Sequence, residues 1–480
     1  MIHRNHVAFV SILLPALLCH FAGGPSAAGA QDLSRGPFLQ RVTTSSVVVV
    51  WEQDLASSPE VRYGTASYDQ VVVSPAAGRR HEVRLTGLEP GTAYRYAVFD
   101  GDRQLSSDLG FPTAVEPTVP FRFMVMGDTR SDPVAHQQVV DAMTLEEEVG
   151  FVVNSGDLVS TGAISGDWDE FFRIEQPLIG RTPIYPLIGN HDETDGDAVL
   201  YLEAFALPEN APQPEYYYSF EYGNSYFIVL DGHVQVEVGC LREGILVTDC
   251  FIDEQLEWLM GELRAAAMAP EIDNLFVFIH VGPYSSKEGR LGNSQMRHLL
   301  DAFLEYGVTA IFSGHDHYYE RGLSGNGIPY VISGGGGAPL YEVIGPSPQP
   351  HTVIQNESTW HYVTVDVDGT SIRMTAKTPD GRVVDEVTLD STPQCSVHTD
   401  CPTSGEACVE GTPRCTIGER CALDCPMDAV VDPPDLSPGG GGCSLGRGET
   451  PPYPTVACFA LLLFLRRRGG PRAGGGRSAA

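Results

Sequence analysis

Between residues 121 and 317 five short apolar runs each stop at a residue type that holds metal ions. Run 121–126 leads into Gly127-Asp128, run 151–153 into Gly156-Asp157, and run 184–188 into Gly189-Asn190-His191. Run 275–279 stops at His280, and run 308–312 leads into Gly314-His315-Asp316-His317. Stretches with helical apolar spacing lie between them: one from Pro133, one near 168–178, one at 254–266 capped by Asp253, and one near 293–305. Such alternation predicts α/β layering. In such sheets ligands gather beyond the carboxyl ends of the strands, so separate runs deliver their terminal residues to one crevice. A lone Asp or His at such a place is an ordinary cap or turn polar. Asp128, Asp157, Asn190, His280, His315 and His317 together, four of them directly behind glycine, would need that accident repeated.

In order and spacing these motifs resemble the calcineurin-like metallophosphoesterase superfamily. The stretch Gly314-His315-Asp316-His317-Tyr318-Tyr319-Glu320-Arg321, with the β-rich region ahead, is similar to purple acid phosphatases. The resemblance implies an α/β metallophosphoesterase fold, a two-sheet β-sandwich flanked by helices. It implies two metal ions of the Fe, Zn or Mn type, bridged by Asp157. Asp128 and His317 would belong to the first, and Asn190, His280 and His315 to the second. It further implies hydrolysis of a small phosphoester, in acid phosphatase manner. A metal pair about 3.5 to 4 Å apart stabilises both attacking and leaving oxygens and makes hydroxide available near neutrality. His191 would face the phosphoryl oxygens or the leaving group, the alternative being a histidine that only orients ligands.

Two positions depart from the family pattern. The first motif is Asp128-Thr129-Arg130 where many members have D-x-H, and the third position after the bridging Asp is Ser160 where purple acid phosphatases have tyrosine. Arg130 suits a substrate phosphate through its fork of donors, or a surface ion pair. Pro133 fits the first position of a helix, which places His136 in its first turn, near the metals. His136 is therefore the expected substitute ligand of the first metal, its neutral form favoured by the helix N-terminus. Loops 160–167, 193–214, 233–250 and 285–293 are expected to shape the pocket, and none carries a recognisable specificity code. The alternatives are a phosphodiesterase or nucleotide hydrolase on the same site, and a catalytically weakened surface binding or adhesion protein.

The 480 residues allow roughly two to four domains. From 36 to 113 β-rich runs at 46–52, 60–63, 71–73, 81–85 and 94–99 are separated by turn residues, the pattern of a small β-sandwich. Leu88, Pro90 and Tyr94 have the spacing of a tyrosine corner, so this all-β domain resembles a fibronectin type III sandwich. The organisation expected is a signal peptide at 1–30, the sandwich at 31–116 and the phosphoesterase domain at 117–392. A Cys-rich disulfide module at 393–426, a Pro/Gly-rich linker with Cys443 at 427–455 and a sorting or anchor segment at 456–480 follow.

Arg4, the apolar run 7–18 and Ala28-Gly29-Ala30 have the layout of a secretory signal. Cys443, the ten apolar residues 456–465 and Arg466-Arg467-Arg468 resemble the sorting signal called MYXO-CTERM, which implies display at the cell surface. Ten residues are too few to span a bilayer, for which about 20 are needed. Cys395, Cys401, Cys408, Cys415, Cys421 and Cys425 read as a disulfide framework with open connectivity, zinc being the competing reading, and Cys240 with Cys250 as one further bridge. The net charge of −32, with Lys287 and Lys377 the only lysines, excludes a nucleic-acid binding face. Nothing in the sequence specifies an oligomeric state.

Overall fold

The computed structural model describes residues 33–391, apart from 195, 238–239, 243–244, 248–249, 344, 346–349 and the side chains of 237–249. The signal peptide, Cys-rich module, linker and sorting segment lie outside the described residues. No described helix is long and apolar enough to cross a membrane.

The first domain is all-β. Leu33–Gln40, Ser46–Ser57 and Gly78–Thr86 form one antiparallel sheet. Gln70–Val73, Glu60–Gly64, Ala93–Asp100 and Arg103–Gln104 form the facing one, with Leu109–Pro112 also paired to Ala93–Asp100. Every strand expected here is present. The tyrosine corner is formed as well: the Glu89 N–H donates to the Tyr94 hydroxyl at 3.0 Å.

The second domain stacks two sheets between helices. The six-stranded sheet runs Ile184–Pro186, Val149–Asn154, Phe121–Met126, Tyr362–Asp368, Ser371–Lys377, Val383–Asp390, its first three strands parallel. The seven-stranded sheet runs Tyr218–Tyr222, Ser225–Val229, Asn274–Phe278, Ala310–Ser313, Pro329–Ser333, Tyr319–Ser324, His351–Glu357, with four consecutive parallel strands at its centre. Strand period decides which face each side chain serves. Phe276 and Phe278 enter the core between the sheets, whereas Leu275, Val277 and Ile279 join the cluster containing Leu259 and Leu263 of helix Asp253–Met268 and Leu300 and Phe303 of helix Ser294–Glu305. The intersheet core is aromatic: Phe123 stacks on Phe151 at 5.2 Å and Phe278 on Phe312 at 5.1 Å. Burying each such ring contributes roughly 1.5–3 kcal/mol.

Local signals explain two of the five described helix starts. Pro133 is the first residue of helix Pro133–Met143, and the Asp132 carboxylate accepts from the N–H groups of Val134 and Ala135. Asn293 caps Ser294–Glu305 in the same way through Met296 N–H. Asp253 is different from expectation: it is the first helical residue of Asp253–Met268, Ile252 precedes it, and no side chain caps that end. Its charge still favours the helix N-terminus.

The two domains share one apolar cluster. Phe38 packs against Phe172 at 5.0 Å and Phe205 at 6.1 Å, and the Tyr96 hydroxyl donates to the Gly180 carbonyl at 2.8 Å. The first domain thereby braces helix Ser165–Ile179.

Candidate metal centre

Three of the strand-end residues have left-handed backbone, with φ of 56° at Asp128, 56° at Asp157 and 67° at His315. A non-glycine residue tolerates that region only where its surroundings hold it there. Here Asp128 N–H donates to Gly156 O at 2.8 Å, and His315 N–H to Asp128 Oδ2 at 2.7 Å. The preceding glycines let the turns approach one another. A Cβ on Gly156, itself at φ 94°, would lie 2.6 Å from His280 Nδ1, and one on Gly314 would lie 2.6 Å from Asp128 Oδ2.

The turns bring two groups of ligand atoms together. One comprises Asp157, His280 and His315, the other Asp128, Asp157 and His317, and within each group the atoms lie within 4.8 Å of one another. Asp157 belongs to both. Asn190 is on the adjoining turn, its Oδ1 buried without a hydrogen-bond partner. Asp128 Oδ1 is likewise buried and unpartnered, 3.3 Å from His317 Nε2. Buried polar atoms without partners are costly, and a cation among them supplies what they lack.

The imidazoles are oriented by backbone carbonyls, which only accept. His280 Nδ1 donates to Ser155 O at 2.7 Å and His317 Nδ1 to Pro339 O at 2.7 Å, so in the neutral rings each Nε2 keeps its lone pair. Those lone pairs face carboxylates: His280 Nε2 is 3.3 Å from Asp157 Oδ1. Two acceptors in such contact require a proton or a metal ion between them. The electrostatics agree. Burial opposes a charged His280, but the Asp157 carboxylate outweighs it and pushes the imidazole up to about 9. Burial likewise acts against ionised Asp157, yet His280 and the His191 N–H hold it well below the usual carboxylate range. Burial pushes the Asp128 carboxyl up, and burial together with His280 and Arg290 pushes His315 down. The residues present thus fit two cations with Asp157 shared.

His191 borders the shared carboxylate. Its N–H donates to Asp157 Oδ1 at 2.9 Å and its Nδ1 to Ser160 O at 2.7 Å, outside both groups of ligand atoms, leaving Nε2 for another partner. Arg130 is not on the outer surface. Its Nε donates to Asp157 Oδ2 at 3.0 Å, and Nη2 is 3.3 Å from His317 Nε2. Ser160 Oγ is hydrogen-bonded to Ser131 Oγ at 3.1 Å.

His136 requires a correction. It occupies the first turn of helix Pro133–Met143 as expected, but it is in neither group of ligand atoms. Its Nε2 is 2.7 Å from Glu175 Oε1, with side-chain exposures of 3 % and 0 %. A buried carboxylate competes for that nitrogen, and helix Ser165–Ile179 supplies it.

Three other side chains belong to the centre. Asp192 clasps it, accepting from the N–H groups of Asp157 and Gly189 at Oδ2 and of Leu158 and Val159 at Oδ1. His233 stands edge-on to His280 at 5.3 Å with a buried, unpartnered Nε2. Its signal was the familiar one, since strand Ser225–Val229 is followed by Asp231-Gly232-His233. Tyr341 stacks on His317 at 3.9 Å from a loop with no motif of its own.

Residues 121–319 match the calcineurin-like phosphoesterase family, and residues 38–113 match the purple acid phosphatase N-terminal domain. Purple acid phosphatase 15 of Arabidopsis thaliana is 26% identical over 307 residues, 54% of this chain and 54% of the relative. An uncharacterized protein of Mycobacterium tuberculosis, MT2654, is 28% identical over 328 residues, 58% of this chain and 60% of the relative. The chain thus spans little more than half the length of these curated relatives. A purple acid phosphatase from yellow lupin (Lupinus luteus) seeds shares the fold with a TM-score of 0.62 at 21% identity, over 74% of each chain. The PhoD structure gives 0.57 at 11% identity, over 73% of this chain and 92% of its own. The chain carries a calcineurin-like phosphoesterase domain preceded by the N-terminal domain of purple acid phosphatases.

Proposed function

We propose that the protein is a metal-dependent phosphoester hydrolase of the acid phosphatase kind, acting on small phosphomonoesters. The observation that carries this reading is Asp157, common to two groups of ligand atoms each within 4.8 Å. Asp157 would join two metal ions, Asp128 and His317 completing one side, and Asn190, His280 and His315 the other. When bound, the metal pair supplies Lewis acidity and a nucleophilic oxygen at moderate pH. The chain's own residues do the rest. His191 Nε2, with Nδ1 fixed on Ser160 O, is oriented to hydrogen-bond a phosphoryl or leaving-group oxygen. Arg130 presents donors beside Asp157, where the fork of a guanidinium suits phosphate oxygens. The Asp192 clasp holds the turns so that these groups do not reorganise during turnover.

The names of relatives support the substrate class, among them purple acid phosphatase 15 and an onion (Allium cepa) phosphoenolpyruvate phosphatase. Export and display at the cell surface form part of the same proposal. They rest on the terminal segments, and a disulfide-bonded Cys250 accords with an oxidising compartment. Pairing of Cys240 with Cys250, the domain limits 31–116 and 117–392, and the module at 393–426 are proposed with it. Phosphate release from an aryl phosphate and from a bis-aryl phosphate by the metal-reconstituted protein tests the reading. Faster release from the monoester is expected. Preference for the diester would make the protein a phosphodiesterase, and metal binding with no turnover would make it a weakened binding protein.

A further inference from the structure

The chain has two lysines and a net charge of −32, so a lysine left without a carboxylate is conspicuous. Lys377 is paired, its Nζ 2.6 Å from Glu146 Oε1. Among the described residues no carboxylate lies within ion-pair distance of Lys287, although Glu288 is the next residue and is exposed. Lys287 Nζ instead sits 3.1 Å from the centroid of the Tyr341 ring, the ring that stacks on His317. Cation–π attraction holds an ammonium there without neutralising it.

Arg290 approaches the same ring, its Cζ 5.2 Å from the centroid. It lines a cavity of about 170 Å³ together with His315, and its Nη1 donates to His315 O at 3.0 Å and to the Asp316 carboxylate. Asp316 balances the Arg290 charge. Lys287 has no carboxylate in contact: burial first, then the charge of Arg290, press its ammonium below the usual lysine range, Asp316 opposes them only in part, and Arg130 adds to the pressure. Three cationic side chains therefore converge beside His315 and His317, and one of them, Lys287, has no carboxylate within ion-pair distance among the described residues. Like charges held together in this way are relieved by an anion.

We propose that Lys287, with Arg290 and Tyr341, forms a second anion subsite beside the metal centre. The favoured substrates are then phosphoesters whose leaving group carries a further carboxylate or phosphate. This rests on the hydrolase reading for the word substrate, while the subsite itself is a statement about anion binding. Lysine suits such a role because its ammonium is a compact point charge that accommodates either anion.

The test is calorimetric titration of the metal-reconstituted full chain with methylphosphonate, phosphonoacetate and methylenediphosphonate, in wild type, Lys287→Met, Lys287→Gln and Lys287→Arg. The second probe carries a carboxylate and the third a second phosphonate, so the two arms distinguish which anion the subsite takes. Removing the ammonium should weaken at least one two-headed probe relative to methylphosphonate by roughly tenfold, the scale of one charge-assisted contact. Lys287→Arg should restore most of it. An unchanged preference in Lys287→Met and Lys287→Gln, or an equal weakening of all three probes, overturns the proposal. If no ester is hydrolysed but the preference still depends on Lys287, the subsite stands and the hydrolase reading falls.

Discussion

Replacing His136 by alanine distinguishes a metal ligand from a buried structural pair. In the structure its Nε2 is 2.7 Å from Glu175 Oε1, the pair is sealed between helices Pro133–Met143 and Ser165–Ile179, and Phe171 stacks on the imidazole at 6.0 Å. Glu175 Oε2 already lacks a partner, so alanine at 136 would leave the whole carboxyl group without one. Breaking a buried pair from one side costs about 3–5 kcal/mol. For a domain of this size that corresponds to a fall in melting temperature of roughly 6 to 20 °C. Metal content should stay at the wild-type value. The double variant His136→Leu/Glu175→Leu should recover most of the loss, because two apolar side chains of similar volume leave no buried polar group behind. Thermal unfolding and metal analysis on the same preparations provide the assay. Loss of one metal per chain in His136→Ala, with an unchanged melting temperature, would refute this reasoning and restore His136 to the metal centre.

Asp192→Ala removes the acceptor of four backbone N–H groups, so we expect a loss of at least about 3 kcal/mol by denaturant unfolding and 10- to 100-fold weaker metal binding by titration. Wild-type values for both would mean that the turns hold themselves. With Ser160 where the related family has tyrosine, iron-loaded protein should show no strong visible charge-transfer band. A band abolished by Tyr341→Phe would show that the tyrosine stacked on His317 had taken that role. Tyr96→Phe deletes one hydrogen bond between the domains and should lower stability by about 0.5–1.5 kcal/mol without affecting metal content, as read by unfolding and metal analysis. A much larger loss would mean that the contact organises the interface.

The strand ends were legible because their chemistry is local. Gly-Asp, Gly-Asn-His and Gly-His-Asp-His occur at the ends of apolar runs, and sheet topology alone carries them to one crevice. The tyrosine corner and Pro133 at the first position of its helix are also short-range, and both are formed. His136 was misread because its partner is 39 residues away, on a helix whose apolar face hides one carboxylate. Sequence spacing placed the histidine near the metals but could not show what else would reach it. Lys287 and His233 lie in loops that carry no periodicity, and only the folded chain sets one over Tyr341 and the other beside His280. His233 follows strand Ser225–Val229 as the candidate ligands follow theirs, so its approach to the crevice was legible although its edge-on contact with His280 was not.

The central claim is that one carboxylate serves two metal ions. Metal content per chain, measured on reconstituted wild type and on Asp157→Asn, tests it most directly. Two metals in wild type are expected, with both weakened or lost in the variant, since the shared oxygen donors hold two like charges at close range. Two metals retained at wild-type affinity in Asp157→Asn, or a single metal in the saturated wild-type protein, would contradict it.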